Sequence, residues 1–558
     1  MRRREGEHEL TDERQARTTD EDMESEWTPL GRRRLLQALG GVAGLTVLGL
    51  PEGEAIGVVR AQSDENKQWS QQQKLTANDG DSNDSFGQSV SVSDDGTTAL
   101  VAAFEDEDPN GEKAGSAYVF SKSGGNWSQQ QKLSASDGDV DDGFGVSVSL
   151  SADGATALIG AADIDERDDV EAPGSVYVFT ESGESWSQQQ KLTPDNSNMG
   201  DSFGESVSVS DDGTTALIGA SGTGSAYIFT ESGGSWSQQQ KLTPTDGDGS
   251  SQFGNSVSLS DGGTTALIGA FGSAFIFMKS GGRWDQQQKL TTTDGSRVYF
   301  GSVSIANEGA IAFIGALKGK NQNGDRVGSV YVFTKSGESW SQQQKLSAND
   351  GDTGDDFGRA VSVSDNGTTV FIGADGDENQ NGDRAGSVYV FTESGGSWSQ
   401  QQKLSATNGG STAFFGRSVS VSDDGTTVLI GAPFAETSAS SLAGSAYLFT
   451  SQESADDDMS NNNVKITNPK IEPNTITTGG STHTLTFTVE NLSPDDNPEE
   501  FTITMPDTVA VEGVDIVKSG DLSPESPAVG NPITFSVNST QTTQAEMEVE
   551  LTLSPNNG

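Results

Sequence analysis

A seven-residue phrase, WSQQQKL, occurs seven times almost letter for letter, and it constrains the fold of this 558-residue chain more than any other feature. A Phe-Gly pair also occurs seven times, at steps of 58, 59, 50, 47, 57 and 58 residues. Each pair opens the same unit: FG, SVSVS, a DG turn, TTALIGA, a variable loop, GSAYVF, an SGGS turn and WSQQQKL. The first WSQQQKL, at residues 69–75, has no unit before it, and the seventh unit, ending near Thr450, has no WSQQQKL after it.

The pattern inside each unit predicts four short β-strands. The run at residues 89–93 alternates serine with valine at period two, and a DG pair favours a hairpin because glycine accepts a positive φ. Four antiparallel strands repeated seven times predict an all-β, seven-bladed β-propeller. The polar residues of WSQQQKL suit an outer edge strand, where they discourage pairing with another chain. We predict that residues 69–75 complete the last blade and close the ring.

The repeated FG and GA phrases of residues 69–450 resemble FG-GAP repeats. Such repeats form the seven-bladed propeller of integrin α subunits and of many secreted microbial proteins, and this chain is similar to the secreted haloarchaeal type. The GAP tripeptide is complete only at residues 431–433, and the first unit has Ala102-Ala103 in place of Gly-Ala. In the integrin family, calcium sits in an expanded loop between the first two strands of some blades. Here that connection is a tight turn, as at residues 93–96, so those calcium sites are not carried over.

Residues 1–61 form a leader of different composition. The stretch GRRRLLQALGGVAGLTVLGL, residues 31–50, resembles a twin-arginine export signal, with Arg32 and Arg33 as the pair and a candidate cleavage site at residues 59–61. Its apolar run of 16 residues is shorter than the ~20 needed to span a membrane. We therefore expect a secreted or cell-surface protein with no transmembrane segment in the mature chain. An uncleaved membrane anchor is the alternative.

Charge and composition exclude several functions. The chain has 82 acidic and 33 basic side chains, a net charge of −49. Such a surface is typical of halophilic proteins, because at about 1 M salt the Debye length falls to ~3 Å and self-repulsion is screened. A nucleic-acid partner is not expected, since no basic stripe is present. With no cysteine, and with His8 and His483 both outside the repeats, the propeller lacks the residues for Ser-His-Asp, Cys-His and His-ligated zinc chemistry. We therefore expect no catalytic residues.

Two loops between second and third strands carry candidate calcium ligands. Oxygen side chains at alternate positions ahead of a glycine are typical of the start of compact calcium loops. The same residues are ordinary turn formers, and no glutamate follows at the twelfth position, so both interpretations stay open. Apart from calcium, no cofactor is expected. The candidates are Asp375, Asp377, Asn379, Asn381 and Asp383 in one loop and Asp106, Asp108 and Asn110 in the other.

The chain after the repeats has a different residue pattern. Residues 451–463 form an acidic, polar linker, and residues 464–558 contain longer runs with period-two apolar faces, as at Phe487 and Val489. These runs predict an immunoglobulin-like β-sandwich, similar to extracellular modules of surface proteins from salt-loving archaea. The predicted domains are thus a leader (1–61), a propeller (62–450), a linker (451–463) and a sandwich (464–558).

The variable loops indicate a binding surface. In an antiparallel blade, the connections between the second and third strands and between one blade and the next emerge on the same face, and variable loops on a uniform scaffold commonly bind partners. We expect an exported binding or adhesion protein whose loop face engages an extracellular protein or glycan. A secreted enzyme acting on polysaccharide through loop carboxylates and a structural envelope component are the alternatives. Short connections at residues 221–225 and 271–273 predict a notch in the rim, although simple loop drift would also produce them.

Overall fold

The computed structural model of the chain describes residues 67–453 apart from short loop segments, together with the backbone of strands between Lys465 and Pro555. The loop segments outside the description are residues 108–110, 163–172, 184, 197–199, 246–251, 294–299, 307, 321–324 and 438–441. The export signal predicted in the leader also lies outside the described residues.

The repeats form an all-β, seven-bladed β-propeller, as predicted. A preceding strand, β1, is Lys67–Leu75. Blades 1 to 3 consist of β2 (Val90–Val92), β3 (Thr98–Ala103), β4 (Ser116–Ser123) and β5 (Asn126–Leu133); β6 (Phe144–Leu150), β7 (Thr156–Ala161), β8 (Ser175–Ser182) and β9 (Ser185–Leu192); and β10 (Phe203–Val209), β11 (Thr215–Ala220), β12 (Ser225–Ser232) and β13 (Ser235–Leu242).

The remaining blades follow the same plan. Blades 4 to 7 consist of β14 (Val257–Leu259), β15 (Thr265–Ala270), β16 (Ser273–Ser280) and β17 (Arg283–Leu290); β18 (Phe300–Ala306), β19 (Ile311–Ala316), β20 (Ser329–Ser336) and β21 (Ser339–Leu346); β22 (Val361–Val363), β23 (Thr369–Ala374), β24 (Ser387–Ser394) and β25 (Ser397–Leu404); and β26 (Ser418–Val421), β27 (Thr427–Ala432) and β28 (Ser445–Glu453). In the described part of the propeller the one helical element is a 3-10 turn, Ser221–Thr223.

The ring closes through the N-terminal strand. Strand β1 pairs antiparallel with β28, from Lys67 opposite Glu453 to Leu75 opposite Ala446, and so supplies the fourth strand of blade 7. Trp69 is only 4 % exposed and packs edge-on against Phe371 of blade 6, with ring centres 4.7 Å apart. The predicted closure is thereby confirmed.

The FG and GA phrases meet between neighbouring blades. Gly87 of blade 1 has a φ of 95°, a conformation that favours glycine, and it lies against Gly431 of blade 7. A Cβ atom on Gly431 would collide with the carbonyl oxygen of Gly87. The same close approach occurs at Gly160, Gly219, Gly315 and Gly373 and explains the glycine at those positions, whereas the first unit has Ala102 there. Phe86 then packs edge-on against Tyr118, with ring centres 5.5 Å apart. Equivalent aromatic pairs begin at Phe144, Phe203, Phe253, Phe357 and Phe415.

A ring of glutamine hydrogen bonds joins the outer strands. In each WSQQQKL strand the third glutamine donates to the backbone oxygen of the next blade's tryptophan and accepts from its N–H, at 2.7–3.0 Å. The pairs are Gln73–Trp127, Gln131–Trp186, Gln190–Trp236, Gln240–Trp284, Gln288–Trp340, Gln344–Trp398 and Gln402–Trp69.

The first glutamine of each WSQQQKL strand makes a further link by accepting a backbone N–H from the preceding blade, as Gln238 does from Asp195 at 3.1 Å. The WSQQQKL strands lie at the outer edge of each blade, as expected. The glutamines, however, do more than discourage pairing with another chain. The middle glutamine is the bulged residue, as Gln239 shows in blade 3, and it remains exposed. The first and third glutamines connect blades instead of only discouraging pairing with another chain.

Serines perform a similar role near the axis. The hydroxyl of Ser89 in blade 1 accepts a hydrogen bond from the N–H of Val148 in blade 2, and Ser91 accepts one from Leu150, at 3.1 and 3.0 Å. Blade 7 connects to blade 1 in the same way, through Ser420 and Val92. In the alternating SVSVS run, the valines therefore belong to the interior of the blade, and the serine hydroxyls link the first strands of neighbouring blades.

We predict that Gln240→Ala lowers the free energy of unfolding by about 1–3 kcal/mol, because two backbone groups of Trp284 lose their partner in a partly buried interface. The matched control is Gln239→Ala, one residue away, because the Gln239 amide donates to the exposed Ser237 hydroxyl of its own strand. That control should change stability by less than about 0.5 kcal/mol. Urea denaturation of both variants measures the difference, and equal effects would refute the glutamine ring as a stabilising element.

Aspartates at the hairpin turns surround the axis. Backbone hydrogen bonds join the turns in series: Asp423 donates to Asp94, and Asp211 donates to Asp261. Burial raises the pKa of Asp261 and of Asp423, and the nearby Asp365 carboxyl raises both further. The folded ring therefore holds protons at these carboxyls to a higher pH than the unfolded chain does.

This arrangement predicts the sign of a pH dependence. A carboxyl whose pKa is higher in the folded state stabilises the fold fully below its unfolded pKa of about 3.9, and that stability is lost as pH rises through the folded pKa. We expect Asp261→Asn to raise the free energy of unfolding at pH 8 by about 1 kcal/mol or more and to flatten its pH profile. Asp212→Asn is the control, because hydrogen bonds from Ser210 and Thr214 outweigh burial and lower the pKa of Asp212. Denaturation from pH 4 to pH 9 measures both, and an unchanged Asp261→Asn profile contradicts the assignment.

The chain beyond the propeller is also built of strands. It contains β29 (Lys465–Glu472), β30 (His483–Leu492), β31 (Glu499–Ile503), β32 (Val509–Lys518), β33 (Leu522–Pro524), β34 (Ile533–Ser539) and β35 (Ala545–Pro555). These strands pair in a four-stranded sheet, β29-β30-β35-β32, and a three-stranded sheet, β31-β34-β33. The immunoglobulin-like sandwich stays a prediction.

Candidate binding face

The loops of variable length lie on one face of the propeller. The loop before blade 1 and the loop between β3 and β4 meet at the end of β5, where the Lys132 ammonium lies 2.8 Å from Asp79 of the first loop and 2.7 Å from Asp106 of the second. The hairpins joining β2 to β3 and β4 to β5 leave from the opposite strand ends. The expected separation into a loop face and a hairpin face therefore follows from the strand order.

Lysine is the central residue of these loop contacts. In blade 6 the Lys403 ammonium lies 2.8 Å from Asp350 and 3.0 Å from Asp377. Burial disfavours the charge of Lys403, but the two carboxylates outweigh burial and raise its pKa. The Asp377 carboxylate, 2 % exposed as a residue, also accepts hydrogen bonds from Ser387 and Tyr389 at 2.7 and 3.1 Å. One lysine thus holds two loops against the scaffold.

The same lysine covers an aromatic ring in every blade. Its ammonium lies 5.1–5.5 Å from the ring centre, a distance at which a cation is attracted to the ring face. The polar pattern of WSQQQKL predicts only an edge position for this lysine, and its invariant place after QQQ is the signal in the sequence for a larger role. The pairs are Lys132–Tyr118, Lys191–Tyr177, Lys241–Tyr227, Lys289–Phe275, Lys345–Tyr331, Lys403–Tyr389 and Lys74–Tyr447.

Asp375 pairs with two arginine side chains, whereas Asp377 pairs with Lys403. Its carboxylate lies 3.3 Å from the Arg359 guanidinium and 3.2 Å from the Arg417 guanidinium. Burial raises the pKa of Asp375 to about 6, and Arg359 acts in the opposite direction. The first two candidate calcium ligands are therefore each paired with basic side chains of the protein.

The other candidate ligands make turn contacts. The Asn379 side chain donates to the Gly386 carbonyl and accepts from the Asn381 N–H, and the Asn381 side chain donates to the Ala406 carbonyl. The backbone oxygen of Asp383 accepts from the Thr412 N–H. Asp106 pairs with Lys132, while Asp108 and Asn110 lie outside the described residues. Within the described residues no group of three or more His, Cys, Asp or Glu side chains could hold a metal ion. Calcium at these loops stays a prediction, and it would have to compete with Lys403, Arg359 and Arg417.

We predict that Lys403→Met lowers the free energy of unfolding by about 3–5 kcal/mol, because Asp377 would keep a buried charge without its cation. The matched control is Lys191→Met, at the same repeat position, whose described carboxylate partner Asp137 is half exposed. That change should cost less, about 1 kcal/mol for the ion pair. Urea denaturation with and without calcium measures both variants. A wild-type melting temperature that calcium does not change would exclude calcium binding at this loop.

The short connections of blades 3 and 4 are present as expected. In blade 3 the connection is the 3-10 turn Ser221–Thr223, and in blade 4 β15 is followed almost directly by β16. Residues 246–251 and 294–299 of the adjoining loops lie outside the described residues. The notch in the rim therefore stays a prediction.

The fold is a seven-bladed β-propeller whose loops of variable length lie on one face. The chain belongs to the FG-GAP repeat family. The family model matches seven segments, residues 69–120, 127–179, 186–229, 236–282, 284–333, 340–391 and 398–449, which together cover more than half of the chain. This fold is consistent with a binding or adhesion role. Among curated proteins nothing matches the chain.

Solved structures that match part of this chain include three from different organisms. Kuenenia stuttgartiensis hydrazine synthase matches with 13 % identity and a TM-score of 0.43, over 62 % of this chain and 92 % of that chain. The Cps50 (Swd1) β-propeller domain of Myceliophteria thermophila matches with 9 % identity and a TM-score of 0.45, over 67 % and 99 %. The periplasmic gluconolactonase PpgL of Pseudomonas aeruginosa matches with 17 % identity and a TM-score of 0.41, over 57 % and 85 %. These likenesses support no functional assignment. In the described part of the chain, no helix is long and apolar enough to span a membrane.

Proposed function

We propose that the protein is exported and acts outside the cell, or at its surface, as a binding or adhesion protein whose loop face engages a glycan or protein partner. The observation that carries the proposal is the ion pairing of Lys132 and Lys403, each of which fixes two variable loops to a uniform scaffold. Loops fixed in this way give a surface whose shape is set before the partner arrives, which lowers the entropic cost of binding.

A binding role also fits the residues of the propeller. It contains neither histidine nor cysteine, so its side chains offer oxygen, amide and amine groups for recognition. Export is supported by the arginine pair and apolar run of the leader. The acidic composition supports work in concentrated salt, where the mature chain would meet its partner with its own repulsion screened.

The absence of native cysteines allows a direct test of which face binds. Single cysteines introduced on the loop face, Glu112→Cys and Lys320→Cys, are labelled with a bulky polyethylene glycol maleimide. The controls, Ser235→Cys and Glu338→Cys, place the same label on exposed hairpins of the other face. Binding of the chain from residue 62 onward is then measured on a glycan array and with extracellular protein extracts in high salt.

We expect the label on the loop face to abolish binding and the label on the hairpin face to leave it unchanged. Binding blocked only from the hairpin face would overturn the assignment of the loop face. No binding to glycan or protein by the unlabelled chain would overturn the proposed function itself.

A further inference from the structure

Blade 7 keeps the lysine site but lacks its acids. In blade 6, the Asp377 N–H donates to the Ala374 carbonyl, and the Asp377 carbonyl accepts from the Gly386 N–H. Ala435 of blade 7 makes the same two bonds, with Ala432 and Gly444, so it stands at the position of Asp377. The carboxylate that binds lysine in blade 6 is therefore missing in blade 7.

The second acid of the blade 6 site is also replaced. Asp350 follows the last leucine of its preceding strand by four residues, and Asn408 follows Leu404 by the same number. Asn408 offers an amide in place of a carboxylate. Its oxygen accepts from Gln71 at 3.4 Å.

The groups that surround Asp377 are nevertheless retained. Lys74 faces Tyr447 across the β1–β28 pair, as Lys403 faces Tyr389, and Ser445 corresponds to Ser387. The Tyr447 hydroxyl is buried without a hydrogen-bond partner of good geometry among the described residues. Burial raises the pKa of Tyr447 to about 12, with the Ser445 hydroxyl acting in the opposite direction, so the phenol stays protonated and able to donate.

Lys74 itself lacks a described carboxylate partner. Its ammonium donates to the backbone oxygen of Glu436 at 2.9 Å and lies 5.5 Å from the centre of the Tyr447 ring. Burial lowers the pKa of Lys74, whereas the carboxylates beside Lys132 and Lys403 outweigh burial and raise theirs. A half-buried ammonium without a counter-charge gains free energy when a carboxylate binds it.

A cleft of about 340 Å³ opens beside Lys74 on the loop face, where blade 7 meets blade 1. Amide and hydroxyl side chains line much of it, and these groups suit a ligand with several hydroxyls. The lining includes Lys74, Thr76, Asn78, Asn408, Thr437 and Phe86.

We propose that this cleft binds an acidic sugar, a uronic acid residue of a glycan, whose carboxylate takes the place beside Lys74 that Asp377 takes beside Lys403. The amide and hydroxyl groups of the cleft bind the sugar hydroxyls. This inference rests on the proposed binding function, because it names the ligand class and the position of one site on the loop face.

The experiment is a titration with glucuronate, using glucose as the neutral control and N-acetyl-aspartate as the carboxylate of a peptide side chain. Calorimetry at about 1 M salt screens the repulsion between the ligand and the acidic protein. Two variants address the site. Lys74→Gln removes the ammonium, and Ala435→Asp restores the carboxylate that blade 6 carries.

We expect Lys74→Gln to weaken glucuronate binding about tenfold or more, and Ala435→Asp to abolish it by filling the site from within. The melting temperature shows whether each variant folds. The matched control is Lys241→Gln, whose lysine holds the same repeat position in blade 3 but is exposed to solvent. This control should bind glucuronate like the wild type.

Several outcomes would overturn the inference. These are glucose binding as tightly as glucuronate, N-acetyl-aspartate binding in its place, no glucuronate binding at all, or full binding retained by a folded Ala435→Asp variant. Failure of the inference is distinguishable from failure of the proposed function. If the chain binds its partner through the loop face but does not bind glucuronate, the proposed function stands and only the uronic acid site is refuted.

Discussion

The antiparallel pairing of β1 with β28 is the contact on which the rest of the propeller depends. Every blade is held by two neighbours, so a blade 7 without its outer strand would lose contacts on both sides. Trp69 packs on Phe371 of blade 6, and Gln73 binds the backbone of Trp127 in blade 1. The glutamine ring has seven links only because Gln402 can reach Trp69. Strand β1, which precedes the repeats, thus completes the interfaces of blade 7 with both blade 6 and blade 1.

The contacts between blades are mostly neutral, which matters in a chain of net charge −49. Glutamine amides and serine hydroxyls satisfy backbone groups across each interface, and glycines allow the backbones to approach closely. Neutral hydrogen bonds do not weaken when salt screens charges, whereas repulsion among the acids does. Buried backbone groups must be satisfied in any case, and here small polar side chains satisfy them at repeated positions. This explains how a chain with 32 % hydrophobic residues builds a well-packed ring.

The sequence predicts the strands because their signals are local: period-two alternation, DG turns and a repeated order of phrases. The number of blades and the closing strand follow from counting those phrases. The roles of Gln238, Gln239 and Gln240 could not be predicted in the same way, because a bulge at Gln239 decides which side chains face the next blade. The partners of Asp375 and Asp377 were equally hidden, since the basic side chains that reach them come from Arg359, Arg417 and Lys403, distant in sequence.

Repetition gives the loop face a standard against which each departure can be compared. Where a blade keeps both acids, as beside Lys403, the lysine is neutralised and the loops are tied down. Where a blade loses both acids, the cost of a half-buried ammonium remains unless something from outside neutralises it. Asn408 and Ala435 are therefore informative by comparison with blades 1 and 6, where both acids are present beside the lysine. In blade 3 the corresponding Lys241 is exposed to solvent, so its charge needs no partner, whereas Lys74 is half-buried beside a cleft.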